Sequence, residues 1–272
     1  MRNKRQEPVD EHDLNVERLN VERMMRSKSR RSFLVMGGSA AAGIAGWQWL
    51  TTRPQAGGLS YPLRRTLEFN EVLAESYFKE ARLTPTFPRE MAGEPRVDGD
   101  EGLSAEFDRS TWRLQVMGAG KARTVTLEDI KRLRRVEMTT EHKCIEGWST
   151  IVNWAGARLS DFAAAYNLAT RSGTPPDFRN RPRDLVRYVG LETPDGGYYV
   201  GLDMPSAMHP QTLLCYEMGG RPLTLAHGAP LRLVTTVKYG IKSIKRIGRI
   251  TFTDQRPRDF WSEQGYDWYA GL

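Results

Sequence analysis

The sequence predicts an α+β fold: mixed strands with short helices, and no dinucleotide-binding unit. Three observations predict it. Strand-patterned segments dominate residues 111–252, the helical segments between them are few and short, and the two do not alternate as βαβ units. Neither GxGxxG nor a P-loop occurs.

Thr111 to Val116 alternates like a strand, Gly118-Ala119-Gly120-Lys121 has the composition of a hairpin turn, and Ala122 to Leu127 reads as the returning strand. A short helix follows. Thr126 caps it, and Glu128 and Asp129 stand in its first turn, where carboxylates suit the positive helix end. Val136 to Cys144 reads as a strand ending at the cysteine, and Ser160 to Leu168 as an amphipathic helix capped by Ser160. Residues 171–184 are rich in Pro, Arg and Gly and read as a surface loop. Leu185 to Thr193 then pairs with Tyr198 to Leu202 across Pro194-Asp195-Gly196-Gly197. Thr212 to Tyr216, Leu231 to Val237 and Ile244 to Phe252 supply further apolar, strand-like runs.

The chain has 272 residues, 39% of them hydrophobic and 27% charged, enough to enclose a site in a core. Of its formal charge of +7, residues 1–50, with nine Lys/Arg against six Asp/Glu, carry +3 and leave +4 for the rest. The remainder is too weakly basic to indicate nucleic acid, and no aromatic-and-basic repeat accompanies it.

Residues 1–28 are polar, and Ser29-Arg30-Arg31-Ser32-Phe33-Leu34 then leads into Phe33–Leu50, eighteen residues without a charge. Paired arginines ahead of such a stretch are similar to a twin-arginine export signal. Eighteen residues is also about the shortest membrane span, so an N-terminal anchor is the alternative. Gly37, Gly38, Gly43 and Gly46 make the run less apolar than a span and favour the signal. The chain thus divides into 1–55, signal or anchor, and 56–272, one domain.

Two cysteines could form one disulfide after export. Their surroundings differ, however. Cys215 sits in the apolar run Thr212-Leu213-Leu214-Cys215-Tyr216 and reads as a small buried hydrophobe. Cys144 sits in His142-Lys143-Cys144-Ile145-Glu146-Gly147-Trp148-Ser149, between cations that favour a thiolate and a glycine that permits close approach. Later, Arg232 begins an apolar strand and Lys238-Tyr239-Gly240-Ile241-Lys242-Ser243-Ile244-Lys245-Arg246 forms a dense basic turn. Lys242 and Lys245 alternate with Ile241 and Ile244, so cations border a core, an arrangement suited to a bound anion such as phosphate.

The segment Cys144 to Ser149 resembles the metal-binding cysteine motif of the sulfite oxidase family. In the same order as that family, the chain continues with Asp203-Met204-Pro205-Ser206-Ala207-Met208-His209-Pro210-Gln211-Thr212-Leu213-Leu214, His227-Gly228-Ala229-Pro230-Leu231-Arg232, the basic turn, and Arg256-Pro257. The resemblance spans roughly residues 66–262. Within the family it is greatest to the catalytic subunits of periplasmic methionine sulfoxide reductase systems.

The resemblance implies a sulfite oxidase-type molybdopterin-binding fold holding molybdenum-molybdopterin, with Cys144 as the metal's thiolate ligand and a catalytic position. It implies that Asn70, Thr193, His227, Arg232, Ser243, Ile244 and Lys245 hold the pterin and its phosphate. Two positions depart from the reductase pattern: His227 stands where that branch has Asn, and Leu73-Ala74 where it has Tyr-Glu. Further implications are oxygen-atom transfer at a mononuclear metal, with reduction of an S-oxide or N-oxide, and electrons from a separate membrane cytochrome b or soluble cytochrome c. A periplasmic, monomeric catalytic subunit without the C-terminal dimerisation domain is expected. Two alternatives stand beside this: sulfite dehydrogenase-like oxidation of a small anion, and a non-enzymatic exported anion-binding protein with Cys144 bonded to Cys215. Glu146 is expected to form a structural salt bridge and Trp148 to pack.

Overall fold

The computed structural model describes residues 11–56, 58–94, 96–104, 106–177 and 180–272. Of the segment read as signal or anchor, residues 1–10 lie outside these, as do Phe178 and Arg179 of the loop 171–184.

Helix α1 (Glu11–Thr51) makes up most of a unit of its own. No proline interrupts the chain between Pro8 and Pro54, so the polar stretch and the Gly/Ala-rich stretch continue as one helix. Phe33, Leu34, Trp47 and Trp49 are exposed along it. Among the described residues, no helix is long and apolar enough to cross a membrane.

Short strands β1 (Gln55–Ala56) and β2 (Leu59–Ser60) precede helix α2 (Tyr61–Tyr77). The inner side of α2 carries polar contacts beside the half-buried Leu67 and Ala74. Arg64 donates to the carbonyl of Ser262 at 2.9 Å, and Glu71 pairs with Arg256 at 2.7 Å.

Two five-stranded sheets follow. Their elements, in chain order, are β3 (Leu114–Gly118), β4 (Lys121–Val125), α3 (Leu127–Lys131), β5 (Arg135–Lys143), β6 (Ser149–Arg158), α4 (Leu159–Tyr166), β7 (Tyr188–Glu192) and β8 (Tyr199–Asp203). After these come α5 (Met204–Ala207), β9 (Thr212–Met218), β10 (Arg221–Pro222), β11 (Arg232–Thr235), β12 (Arg249–Thr253) and α6 (Phe260–Glu263). The first sheet runs β10-β9-β6-β5, and β11 shares with β10 the outer edge of β9. The second runs β4-β3-β12-β7-β8, antiparallel except for β12 beside β3.

The main core joins both sheets through Leu114, Val116, Ile130, Phe162, Leu191, Leu202, Leu214 and Ile250, while Met138, Val152, Trp154, Leu213, Cys215 and Val234 form a second cluster. On β9 the assignment alternates residue by residue: Leu214 and Tyr216 face the first cluster, Leu213 and Cys215 the second. A strand buried on both faces reads as an unbroken apolar run, which explains Leu213 to Tyr216. The mixed sheets with short helices are those the sequence predicts.

Local signals hold in several places. Ala119 and Gly120 are both left-handed at the β3–β4 turn, and Thr126 and Asp129 form a reciprocal capping box on α3. Two local expectations differ from the fold. Helix α4 is preceded by Arg158, which gives no side-chain cap, so Ser160 lies inside the helix; Asn167 ends it in a left-handed conformation. The strand read from Ile244 begins only at Arg249, because Gly240–Lys242 is a 3-10 turn and Arg246 is left-handed. β6 was not anticipated at all.

Candidate functional site

β5 and β6 pair along their whole length, from Arg135 opposite Ala157 to Lys143 opposite Ser149, and the loop at their tip carries Cys144. The Cys144 N–H donates to the Trp148 carbonyl at 2.9 Å, and the Gly147 N–H to the Cys144 carbonyl at 3.2 Å. This tight loop fixes the thiol in a cavity of about 310 Å³. His142, two residues back along β5, lines the same cavity, with Trp154 of β6 edge-on to its ring at 5.9 Å.

The basic turn forms the facing wall. A Cβ at Gly240 would stand 2.8 Å from His142 Nε2, so glycine lets the turn approach. Ile241, Ser243 and Lys245 line the cavity from this side, with His227 and Arg232 beside them. Tyr198 and Trp261 add aromatic surface, and the Tyr198 hydroxyl donates to the Ile241 carbonyl at 2.6 Å.

Arg232 is 5% exposed, and its guanidinium lies 5.0 Å from the Trp154 ring centre. It donates to the carbonyls of His227 at 3.3 Å and Ser243 at 3.2 Å, while its Nε has no partner. Among the described residues no carboxylate pairs with it, and burial pushes its pKa down to about 10. A buried cation with only carbonyl partners is poised for an anion. Lys245 donates to the carbonyls of Asp98 and Gly99, and burial together with Arg232 pushes it down to about 8.

The same environment keeps both imidazoles neutral. Burial, then Arg232 and Lys245, push His142 down to about 4 and lower His227 as well. The flanking cations therefore do not make Cys144 a thiolate. Lys143 pairs instead with Glu141 at 3.5 Å, and burial pushes the Cys144 thiol up. The backbone N–H of Glu146 pulls it partly back, and the Asp98 carboxylate, 3.8 Å from Sγ, adds to the rise.

Not every expected residue reaches the cavity. Cys144, His227, Arg232, Ser243 and Lys245 line it. Asn70 does not: it is exposed on α2. Thr193 is buried behind the wall, donating to Asp195 Oδ1 at 2.6 Å and accepting from the Tyr198 N–H at 3.0 Å. Ile244 is packed in the core. Lys242, read beside Lys245 as part of one polar face, points inward and pairs with Asp259, and Lys238 lies 2.9 Å from Asp203. Those two lysines neutralise internal carboxylates, not a ligand. Glu146 lies in the loop and not in a strand, and accepts from Trp148 Nε1 at 3.1 Å where a salt bridge was expected. Cys215 is fully buried, and both cysteines are free thiols.

Trp154, Tyr198, Trp261 and Asp98 also line the cavity without having been anticipated. The alternation of Val152 and Trp154 was the available signal for the first; Asp98 carries none.

A pterin-chelated metal fits these groups. Cys144 is a soft donor, and Arg232 lacks a counter-anion at the far wall. Among the described residues no group of three His, Cys, Asp or Glu could hold an ion.

Residues 101–261 match a family model described as an oxidoreductase molybdopterin binding domain. A chain of Azospira oryzae provisionally named protein-methionine-sulfoxide reductase subunit YedZ1 is 31% identical over 75% of this chain and 73% of its own length. The protein-methionine-sulfoxide reductase catalytic subunit MsrP of Campylobacter jejuni is 34% identical over 62% of this chain, which spans only 59% of that relative. Among solved structures, the sulfane dehydrogenase SoxCD of Paracoccus pantotrophus has a TM-score of 0.47 at 21% identity, over 65% of this chain and 46% of that one.

Proposed function

Because this chain belongs to the oxidoreductase molybdopterin binding domain family, we propose that it is an exported enzyme that removes an oxygen atom from an S-oxide. One observation carries the reading: a single cavity brings the Cys144 thiol together with the unpaired Arg232 guanidinium. When bound, molybdenum-molybdopterin supplies two-electron oxygen-atom transfer.

The chain's own groups bind, orient and exclude. Cys144 would hold the metal through its sulfur, as a thiolate, because a metal-bound thiol is deprotonated. Arg232, Lys245 and Ser243 would hold the phosphate, with charge-assisted hydrogen bonds from the cations. His227 neighbours them as a neutral donor. Trp148, Trp154 and Trp261 line the remaining space and limit water. Thr193 and Ile244 act from outside this set by shaping the walls, while Asn70 lies exposed on α2. Reduction of R₂SO to R₂S and water consumes two electrons and two protons, so an electron-donating partner is required. Membrane cytochrome b or soluble cytochrome c fits that need, and the relatives' names as subunits support a separate partner.

Sulfite oxidation would be favoured by several arginines around the metal. Among the described residues Arg96 and Arg232 are the arginines that line this cavity, and Arg232 is turned toward the carbonyls of His227 and Ser243. The more neutral wall supports S-oxide reduction. Arg30 and Arg31 ahead of the uncharged end of α1 support twin-arginine export to the periplasm, with residues 56–272 as the catalytic domain.

Metal analysis of the natively exported protein tests the reading, with one molybdenum per chain expected. Reduced viologen should then be oxidised by a methionine sulfoxide or another S-oxide. Metal-free protein with Cys144 bonded to Cys215 would overturn the proposal, and ferricyanide reduction with sulfite alone would reverse its direction.

A further inference from the structure

Residues 96–104 lie against the cavity without belonging to a helix or strand. Asp98, Gly99 and Glu101 line it, and Asp98 Oδ2 lies 3.8 Å from Cys144 Sγ. Residues 96–101 are themselves exposed, yet Cys144 beneath them is only 7% exposed. Within the segment, one backbone hydrogen bond is formed, from Leu103 N–H to the Asp100 carbonyl at 2.9 Å.

The segment is held at its start by Arg96, whose guanidinium lies 4.8 Å from the Trp148 ring centre, and beyond that by the basic turn. Lys245 Nζ donates to the carbonyls of Asp98 and Gly99, and Arg246 Nη1 donates to the Ser104 carbonyl at 2.8 Å. Near its end, Gly102 adopts a left-handed φ of +68°, and a Cβ there would stand 2.5 Å from Thr193 Cγ2. Thr193 thus forms the seat on which the segment closes. A stretch with few internal bonds, latched by side chains onto its carbonyls, belongs to the low-stability end of a fold and can open without disturbing the sheets.

We propose that residues 96–104 are a hinged cover over Cys144, latched by Lys245 and Arg246 and seated on Thr193, that opens to admit the cofactor and closes over it. The identity of what enters rests on the functional reading above; the opening itself does not.

Alkylation of the full-length chain by iodoacetamide, read by mass spectrometry at each cysteine, tests the cover. The chain is prepared free of cofactor from a host that makes no pterin, and Cys215, fully buried in the second core cluster, serves as the gauge of global unfolding. Arg246→Leu removes one latch and Gly102→Val removes the seat. Each should raise labelling of Cys144 by about tenfold while Cys215 stays unlabelled. If Gly102→Val also exposes Cys215 it has misfolded, and Arg246→Leu decides alone. Unchanged Cys144 labelling in a folded Arg246→Leu chain overturns the cover, as does wild-type labelling of both cysteines at one rate. In a pterin-competent host, the loaded chain should resist trypsin at Arg96. Faster labelling in the variants without molybdenum in the loaded preparation would sustain the cover and sink the cofactor reading; the reverse pattern would sink the cover alone.

Discussion

Replacing Arg232 with methionine separates a cation held for a ligand from one held for the fold. Burial lowers its pKa from 12.5 to about 10. At about 1.4 kcal/mol per unit, the charge costs the ligand-free protein about 3 kcal/mol. Against this stand two hydrogen bonds to carbonyls, at 3.3 and 3.2 Å, and the contact with Trp154 at 5.0 Å. These contribute about 1 kcal/mol each. The terms nearly cancel, so Arg232→Met should change ligand-free stability by no more than about 1 kcal/mol. Lys242 gives the contrast. Its substitution by methionine strands the Asp259 carboxylate, 2% exposed, and should cost about 3–5 kcal/mol. Urea denaturation of the two full-length variants measures the difference, and molybdenum content after expression in a pterin-competent host measures the ligand. Arg232→Met should hold at least about tenfold less molybdenum despite near-normal stability. Equal destabilisation by the two substitutions would refute the reasoning, because Arg232 would then be a structural bond and not a ligand-directed charge.

Cys144→Ser should eliminate molybdenum binding and all activity with little change in urea midpoint. Cys215→Ser, which places a hydroxyl in an apolar cluster, should cost about 1–3 kcal/mol and leave the metal in place. Gly240→Ala drives a methyl toward His142 Nε2, 2.8 Å away, and should cost about 1–3 kcal/mol and lower metal content, both measurable on one preparation. His209 supplies a pH dependence: its Nδ1 accepts from the Gln211 N–H at 3.2 Å and its Nε2 faces the Arg82 carbonyl at 3.2 Å, the pattern of a neutral ring. Burial lowers its pKa, so the unfolded chain takes up the proton first, and stability present above pH 6.5 is lost as pH falls below it. Thermal melts from pH 7.5 to 5 should show a slope that His209→Gln reduces.

Much of the architecture was legible because its determinants are local. The left-handed Ala119-Gly120 turn and the Thr126–Asp129 capping box are decided within four or five residues, and so are the strands flanking them. The order of motifs from Cys144 to Arg256 was likewise visible in the chain. β6 was not, since its run from Ser149 to Arg158 mixes Asn153, Trp154 and Gly156 and takes its strand character from β5 and β9 on either side. Asn70 lies outside the cavity lining, because α2 turns Arg64 and Glu71 toward Ser262 and Arg256.

By itself the sequence determined which chemical groups the protein carries and the short-range turns, caps and alternations that place them along the chain. Tertiary structure alone decided which of the late cations are available to a ligand. Lys238 and Lys242 stand within a few residues of Ser243 and Lys245, yet they meet Asp203 and Asp259 and are neutralised there, while Arg232 meets only carbonyls. Charge is read from the sequence one residue at a time. Its availability depends on which carboxylate is buried beside it, and that partner comes from a different strand or helix, brought near only when the sheets close on their common core.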